Sequence, residues 1–599
     1  MKRKILNIVL VSAASMALCG CSDFLDTRMD VFETRDRLET RYSTLTSFAN
    51  AYYAPMQYGF ETIDGNLFAA ASDEAVQTAP VSDVSYFNRG LISPDVNPLS
   101  YLYKNYYEGI RAAHFFIDYA KDGEEFLALN RDTTTMYNPD GTVYNTSNPR
   151  AYKRDVINLN WQRAEARIAE AYYYGELIKM YGGVPIIIEG TDGLFQQATY
   201  DQVVEHIVKL IDENKDKVNL DWRVMLDETP DNRIADVANW NFRDNTGRFD
   251  KTSALAIKAR VLLYAASPRN NPDNDPAKWE RAAEAAYEVI STRKAIFEKG
   301  FGFGEGGRIP QIHTMPVNRK YGDYFIKNNS TSDLESIFLI RKMNSSTPER
   351  LNYPIGTRGG NSGITPSHNL VDSYEYIGAQ TANPYANRDP RMAATIVYNG
   401  CEWNGVTDFD QSSGGQFDQK TGGASKTGYY LRKFLAPNLN LVEGGSTDHL
   451  WPVFRYAEVL LNYAEAMNEA YGPDADPKGY GITARQALTE VRNSASTLLP
   501  AVTASSKGEF RKAVKHERRV ELAFEDHRYW DLLRWLDAEE VLNQPIKGAV
   551  IRRNNLGGYQ YSFTNVEERV FHKRNYYLPF TRKEVTNSNG TITQNPEYN

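Results

Sequence analysis

The sequence predicts a mainly α-helical fold in which helices stack in pairs, with long loop-rich insertions and a few short strands. Two long segments carry apolar residues at spacings of three and four, which is the helical period. Small residues alternate with large ones on these segments, and this allows neighbouring helices to approach closely. A middle region rich in Gly, Asn, Ser and Thr separates the two helical ends. The 599 residues exceed the size of one hydrophobic core, so a body built from repeats fits the length.

The start of the chain is a basic head followed by an apolar run at residues 5–18 and a cysteine at position 21. The run is too short for a membrane-spanning helix, and small residues before a cysteine are typical of a lipoprotein signal. We therefore expect a signal peptide at residues 1–20 and acylation of Cys21, with two or three acyl chains giving stable membrane attachment. An ordinary secretory signal with an unrelated cysteine is the alternative.

Charge and cysteine content exclude several classes of function. Removing Lys2, Arg3 and Lys4 with the signal changes the net charge from -8 to -11, which argues against nucleic acid and anionic lipid headgroups as partners. Once Cys21 is acylated, Cys401 is the single free cysteine of the mature chain. Disulfides and zinc sites built from several cysteines are therefore excluded.

Helices are predicted in chain order at residues 101–120, 161–181, 200–218, 252–266, 276–292, 452–471, 481–495 and 512–536. In the second of these, Ala164, Ile168 and Ala171 mark one face, and two glycines before Pro185 end the helix. Short loops join 252–266 to 276–292 and 452–471 to 481–495. This arrangement predicts antiparallel hairpins of the tetratricopeptide kind.

The middle region, residues 300–450, is predicted to consist of long loops with short strands such as 336–340. Long loops on a rigid helical frame usually carry the binding residues. We accordingly divide the mature chain into a helical region at 21–299 and a region at 300–599 that combines the loop-rich ligand part with C-terminal helices. The two regions are expected to form one continuous body.

No catalytic or cofactor signature in the sequence is convincing. Residues 302–307 match the Gly-x-Gly-x-x-Gly pattern, but Pro310 follows where a helix should open. No His-Glu-x-x-His pair and no Gly-x-Ser-x-Gly elbow occurs. The loop that begins at Asp474 carries Arg485 where a calcium loop needs Glu, so an EF-hand is rejected. We predict no enzyme activity, no cofactor and no metal, although the Asn- and Asp-rich loop at 270–275 leaves a looser calcium site open beside a solvated turn.

The densest charged cluster runs from residue 516 to residue 535. As one continuous helix it would place Val520, Phe524 and His527 on a single face. One interpretation is that His527 forms an acid–base pair with Glu525 or Asp531. The alternative is a histidine and several arginines bonded to carboxylates within a packed helix layer.

Aromatic residues make up 12% of the chain, and tyrosine (39) outnumbers phenylalanine (26) and tryptophan (8). Rings with a polar tip suit half-exposed surfaces. Carbohydrate binding is one use, because the C–H face of a sugar lies flat on a ring while its hydroxyls form hydrogen bonds around the rim. Filling the seams between helices is the alternative.

Several sequence motifs occur in one order along nearly the whole chain. They lie at residues 21–26, 164–174, 181–185, 388–391, 455–466, 517–535, 577–580 and 594–598. Examples are Cys-Ser-Asp-Phe-Leu-Asp from residue 21 and Tyr-Gly-Gly-Val-Pro from residue 181. In these motifs the chain resembles the SusD/RagB family, the surface nutrient-binding lipoproteins of Bacteroidetes.

The resemblance implies four tetratricopeptide-like helix pairs and a lipid anchor that holds the protein on the extracellular side of the cell outer membrane. It also implies a SusC-like TonB-dependent outer-membrane barrel as partner and an oligosaccharide as cargo, without catalysis. A surface-anchored glycoside hydrolase and a peptide-binding member of the same family are the alternatives. Ring stacking with a few hydrogen bonds corresponds to dissociation constants of about micromolar to millimolar.

The ligand site is expected where exposed aromatic rings lie beside amides and charges in loops. The loop after Ser72-Asp73-Glu74 lies where the resemblance places ligand residues, and the middle region offers rings beside Asn352 and Asn404. The predicted ligand-binding residues are Tyr86, Phe87, Asn88, Arg89, Tyr321, Asp323, Tyr324, Tyr353 and Trp403. Loop packing or contact with the barrel is the alternative for each.

Overall fold

The computed structural model describes residues 47–124, 149–222, 247–298, 321–326, 335–493 and 499–598. The lipoprotein signal, Cys21, the glycine pattern at 302–307 and the predicted boundary at 299–300 lie outside these ranges. Among the described helices, none has both the length and the apolar composition that crossing a bilayer requires.

The frame of the described molecule consists of nine helices of eight or more residues. They are α1 (Ser100–Ala120), α2 (Pro149–Tyr181), α3 (Tyr200–Asn214), α4 (Lys251–Ala266), α5 (Pro276–Glu298), α6 (Tyr456–Tyr471), α7 (Ala484–Asn493), α8 (Lys507–Glu521) and α9 (Arg528–Trp535). Shorter helices at 84–88, 321–326, 347–352, 368–371, 390–395, 538–541 and 582–587 lie in the connections. Thr199 and Asp250 immediately precede α3 and α4. Each caps its helix with reciprocal side-chain hydrogen bonds.

Consecutive helices contact each other along the chain from α1 to α7, and α8 contacts both α6 and α7. Taken two by two, α1 with α2, α3 with α4, α5 with α6 and α7 with α8 form four pairs of neighbours. The predicted hairpins α4–α5 and α6–α7 are among the contacts between consecutive helices, and each joins one pair to the next. The mainly helical, paired architecture is therefore confirmed.

Several helix predictions are wrong in their limits. The helix expected from residue 161 begins twelve residues earlier, at Pro149, and the helix expected to end at residue 292 continues to Glu298. The helix expected from residue 452 begins at Tyr456, because residues 447–455 form a strand that runs directly into it. The helix expected at 512–536 is two helices, α8 and α9. Phe524 and Asp526 lie between them with positive φ angles of 65° and 62°, a left-handed conformation that a continuous helix does not allow.

The strands form four separate antiparallel pairs. They are β1 (Ala75–Gln77) with β3 (Ile364–Pro366), β2 (Ser336–Ser345) with β6 (Thr447–Arg455), β4 (Ile396–Val397) with β5 (Tyr430–Leu431), and β7 (Ile546–Arg553) with β8 (Tyr559–Glu567). The strand predicted at 336–340 is thus confirmed as part of β2. One cluster of buried hydrophobic side chains extends from Ala49 to Ile592 and joins the helices to the loop-rich middle.

The C-terminal segment packs against the end of α2. The Leu578 amide donates to the Met180 carbonyl at 2.8 Å, and the side-chain amide of Asn595 donates to the Tyr181 carbonyl at 3.0 Å. The rings of Tyr181 and Phe580 stack with centroids 5.1 Å apart. Residues far apart along the chain therefore share one packing layer.

The link between α8 and α9 is held by a buried carboxyl group on the loop before β1. Glu74 accepts a hydrogen bond from the Phe524 amide at 3.4 Å, and its Oε1 has no hydrogen-bond partner in the described structure. Burial, with the charge of neighbouring Asp73 adding to it, raises the pKa of Glu74 from 4.5 to about 8. Arg519 and Arg528 bind Asp73 at 2.6 and 2.8 Å, so the pair carries one proton and one charge at neutral pH.

The protonated state of Glu74 makes stability depend on pH. Between pH 4.5 and about 8 the folded state retains a proton that the unfolded state releases, so the free energy of unfolding falls as pH rises through this window. The contribution of this group is at most about 1.4 kcal/mol per pH unit. In Glu74→Gln this contribution disappears, and urea denaturation at several pH values is expected to give a flatter profile than the wild type. The exposed Glu540→Gln serves as control, and parallel profiles for wild type and Glu74→Gln would contradict the assignment.

Candidate functional site

The predicted loop at residues 86–89 is only partly exposed. Phe87 is buried, and its ring lies 5.0 Å from that of Phe68 and 5.8 Å from that of Tyr529. Asn88 is buried as well, and its side chain bonds to Glu567 and Arg569. The expected exposure is therefore wrong for these two residues, because Phe87 packs against Phe68 and Tyr529 of α9 and Asn88 bonds to Glu567 at the end of β8. Tyr86 is half-buried and Arg89 is exposed, so the loop presents these two side chains at the surface.

The predicted residues of the helix at 321–326 point to interior partners. The Tyr321 hydroxyl donates to the Glu521 carbonyl and accepts from Lys433, both at 2.7 Å. Tyr324 is buried, with its hydroxyl 2.9 Å from that of Ser336, whereas Asp323 is half-buried. The expected exposure of Tyr324 is wrong, since this helix fastens the loop-rich middle to β2 and α8.

The structure brings Tyr353 and Trp403 together, but inside the molecule. Their rings meet edge to face with centroids 5.3 Å apart, and both side chains are buried. Asn352 bonds to Asn66 at 3.0 Å, and Asn404 accepts from the Asn438 amide at 2.9 Å. The expected exposure of Tyr353 and Trp403 is therefore wrong. Loops of this length need a core of their own, and these large rings form part of it.

A row of partly exposed rings lies instead on the outer strand of the β7–β8 hairpin. Tyr559, Tyr561 and Phe563 alternate along β8, so they occupy one face of the strand. Ile551 and Ala549, which pair with Tyr561 and Phe563, are buried. The aromatic side chains consequently lie at the rim of the packed face, and Phe563 is 40% exposed. We call these three residues the ring row.

Each ring of the row is held in place by a neighbour on the body of the protein. The Tyr559 hydroxyl donates to the two carboxylate oxygens of Asp408 at 2.9 and 3.1 Å. The Tyr561 hydroxyl accepts from Asn399 at 3.2 Å, and its ring meets that of Tyr385 edge to face at 5.2 Å. These contacts fix the orientation of the rings before a ligand arrives, which reduces the entropy cost of binding.

The ring of Phe563 lies parallel to the imidazole of His368 at a centroid distance of 3.6 Å. Burial lowers the pKa of His368 to about 4, although Asp372 opposes the shift. The imidazole is thus uncharged at neutral pH, and its Nδ1 lies 2.8 Å from the Tyr429 hydroxyl. The imidazole against which Phe563 stacks therefore carries no charge.

The charged groups at the Tyr559 end are arranged in pairs. Arg553 lies over the Tyr559 ring at 5.2 Å and binds Asp410 at 2.7 Å. Although burial opposes the shift, hydrogen bonds from Ser412 and Arg553 lower the pKa of Asp410, so this carboxylate stays ionised. Burial, together with Asp408, raises the pKa of Tyr559, which keeps its hydroxyl a donor.

The loop at residues 86–89 contacts the chain just after the end of β8. Arg89 forms a parallel β-bridge with Val570, and the Val570 amide donates to the Asn88 carbonyl at 2.9 Å. Tyr86 and Arg89 therefore lie beside the segment that leaves the end of β8. The alternation of rings at 559, 561 and 563 is visible in the sequence, but the sequence analysis did not single it out.

The acid–base interpretation of His527 has no support from its surroundings. Glu525 bonds to Lys433 and Arg455, and Asp531 bonds to Arg518 and Arg534. Burial lowers the pKa of His527, with the positive charge of Arg260 adding to the effect. The adjoining cavity has a volume of about 50 Å3, which is space for a few water molecules. This arrangement matches the structural interpretation of the cluster.

The loop at residues 270–275 uses its oxygen atoms within the protein. Asn271 Oδ1 accepts from the Asp275 amide at 2.8 Å, and Asn274 Oδ1 accepts from the Trp279 indole at 3.1 Å. Across the described ranges, no group of three or more His, Cys, Asp or Glu side chains is placed to hold a metal ion.

Several known proteins are similar to this chain in sequence or in structure. The model of the SusD family matches residues 326–598. SusD-like protein P38 of Formosa agariphila is 35% identical over 402 residues, which cover 64% of this chain and 68% of that protein. SusD-like protein P2 of the same organism is 21% identical over 471 residues, with 76% and 79% covered.

The similar solved structures share the fold over almost the whole chain. A SusD-like protein of Bacteroides fragilis has a TM-score of 0.68 at 19% identity, with 94% of this chain and 98% of that chain covered. A SusD-like carbohydrate-binding protein of the same organism has a TM-score of 0.66 at 21% identity, covering 92% and 99%. A laminarin-binding SusD-like protein has a TM-score of 0.58 at 20% identity, covering 93% and 99%.

The stacked helix pairs and the loop-rich middle define a class of protein built on a helical frame with long inserted loops. The family model and the relative with 35% identity make the assignment more specific. The chain belongs to the SusD family.

Proposed function

We propose that this protein captures oligosaccharides at the cell surface and delivers them to a SusC-like TonB-dependent outer-membrane barrel, without changing their bonds. The observation that carries the proposal is the ring row, three partly exposed rings beside carboxylate and amide groups. Aromatic faces stack on the C–H faces of sugars, and the polar rim forms hydrogen bonds with hydroxyls. Family membership and the carbohydrate-binding and laminarin-binding neighbours support the same ligand class.

Tyr86 and Arg89 extend the proposed ligand surface beyond the ring row. Tyr86 is half-buried, whereas Arg89 is exposed beside Val570 and offers donors that suit sugar hydroxyls. Phe87 and Asn88 lie beneath this surface, where Phe87 packs against Tyr529 of α9 and Asn88 bonds to Glu567 at the end of β8.

Native electrophoresis in gels that contain a polysaccharide tests the ligand class directly. The mature protein is expected to be retarded in gels with at least one polysaccharide from a panel of neutral and anionic chains, laminarin included. Incubation of the same protein with the retarding polysaccharide is expected to release no reducing ends. Release at an enzymatic rate would favour the surface-anchored hydrolase, and retention by peptides alone would favour a peptide-binding protein.

The lipid anchor makes a separate prediction. Acylation of Cys21 requires its thiol, so Cys21→Ser is expected to move the protein from the outer-membrane fraction to the soluble fraction. Cell fractionation with immunoblotting measures the shift. Cys401→Ser is the matched control, since Cys401 is buried in the folded body and is expected to leave membrane attachment unchanged. Equal membrane retention of Cys21→Ser and wild type would contradict the proposed anchor.

A further inference from the structure

The spacing of the ring row matches a ligand with a regular repeat. The Tyr559 and Tyr561 centroids lie 6.3 Å apart. Alternate residues of a strand are separated by roughly 6.6 Å, so Phe563 continues the row at a similar interval. Three rings thus follow one another along the strand, with the planes of Tyr559 and Tyr561 tilted by 48° and Phe563 packed against His368.

The ring row is open at both ends. Beyond Tyr559 the hairpin turn carries the exposed Leu556, with 95% of its surface accessible. Beyond Phe563 the strand continues through the exposed Thr564 and Asn565. Two internal cavities lie elsewhere, with Tyr172, Arg260 and Tyr264 in the walls of both. The row therefore has no end wall, within the described residues, that would enclose the terminal unit of a chain.

The outer position of β8 leaves the row accessible along its length. In the described structure β8 pairs only with β7. The other side of β7 is covered by residues 419–427, through bonds such as the Ala549 amide to the Thr427 carbonyl at 2.8 Å. Gln560 and Ser562, the exposed residues between the rings in sequence, lie on the opposite face of the strand.

The charges around the row favour an uncharged ligand. Arg553 is neutralised by Asp410, and His368 is uncharged. Asp408 remains as the exposed charge in direct contact with a ring hydroxyl, and it would repel an acidic sugar over Tyr559. Lys547 pairs with Asn565 and thus lies beyond the last ring.

Resting on the proposed function, we infer that the ring row holds three consecutive sugars in the interior of an uncharged polysaccharide chain, one on each ring. Each occupied ring adds a similar increment of binding energy. Affinity consequently rises about two- to tenfold per sugar until all three rings are covered, and then levels off.

Isothermal titration calorimetry with an oligosaccharide length series tests this inference. The series runs from the disaccharide to the hexasaccharide of the neutral polysaccharide that best retards the protein in gels. We expect a steep gain from the disaccharide to the trisaccharide and a plateau beyond it. Phe563→Ala is expected to move the plateau to the disaccharide, while Leu556→Ala, at the hairpin turn, leaves it unchanged. Circular dichroism confirms that both variants are folded.

Three results would overturn the inference. Equal affinity for all lengths would show a single sugar position, and loss of hexasaccharide binding after reduction of its terminal sugar would show recognition of a chain end. Tighter binding of alginate oligosaccharides than of neutral ones would exclude an uncharged ligand. In each of these cases glycan binding itself persists, whereas a protein that binds no polysaccharide refutes the proposed function and the inference with it.

Discussion

Replacing Tyr559 and Tyr561 together with alanine is expected to weaken glycan binding by up to about a hundredfold. A stacked aromatic contact contributes roughly 0.5–1.5 kcal/mol, so each lost ring corresponds to a decrease of about two- to tenfold. The two hydroxyls are already engaged by Asp408 and Asn399, which makes the ring faces the main available contact. Calorimetric titration of the polysaccharide measures the decrease.

Two further variants distinguish the effect of losing the β8 rings from a general loss of structure. The double substitution to phenylalanine keeps the rings and removes the hydroxyls, so a much smaller loss is expected. Tyr287→Ala/Tyr480→Ala removes a comparable pair, stacked with centroids 4.0 Å apart between α5 and the loop before α7. Because this pair lies outside the hairpin, its removal is expected to leave affinity unchanged. Similar losses in both alanine doubles would contradict a ligand site on β8.

Removing the Glu465 carboxylate is expected to destabilise the fold by about 3–5 kcal/mol. Glu465 on α6 accepts from both terminal nitrogens of Arg534 on α9, at 2.5 and 2.7 Å, and from the Trp535 indole at 2.7 Å. All three side chains are buried. Although burial opposes the shift, Arg534 lowers the pKa of Glu465. In Glu465→Ala the buried guanidinium keeps Asp531 at 2.7 Å but loses the carboxylate that binds both of its terminal nitrogens.

Urea denaturation of two companion variants shows whether the loss of stability comes from the missing carboxylate partner of Arg534. Glu465→Leu/Arg534→Met removes both charges and is expected to regain much of the stability, because apolar replacement of a buried ion pair is often close to neutral. Glu205→Ala breaks an ion pair in which Arg281 Nη1 lies 2.7 Å from Glu205 Oε1 and both side chains are largely exposed. We expect the free energy of unfolding to change by less than about 1 kcal/mol. A double variant less stable than Glu465→Ala would contradict the explanation.

The helical frame could be predicted because its signal is local. In α2 and α6 the apolar period and the small residues are present within each segment, and the predicted helices match except at their ends. The break between α8 and α9 has no local signal of this kind. Alternating charges and apolar residues continue through Phe524 and Asp526, and the left-handed turn there is sustained by distant contacts such as that from Glu74.

The candidate site was harder to predict because burial in the loop-rich middle depends on distant neighbours. Tyr353 and Trp403 are far apart in the sequence, and each completes the cover of the other. Composition alone does not distinguish such a pair from an exposed platform. The ring row did have a sequence signal, since polar and aromatic residues alternate from Tyr559 with the period of a strand. The decisive information, that β8 is an outer strand, comes only from the fold.

The packing of the C-terminal segment against α2 has a consequence for how the protein matures. The hydrogen bond from Asn595 to Tyr181 joins residues 414 positions apart. A chain synthesised from its N-terminus presents the end of α2 long before residue 595 is made, and contacts of such sequence separation form slowly. The growing polypeptide thus passes through an interval in which the ring of Tyr181 lacks its stacking partner Phe580.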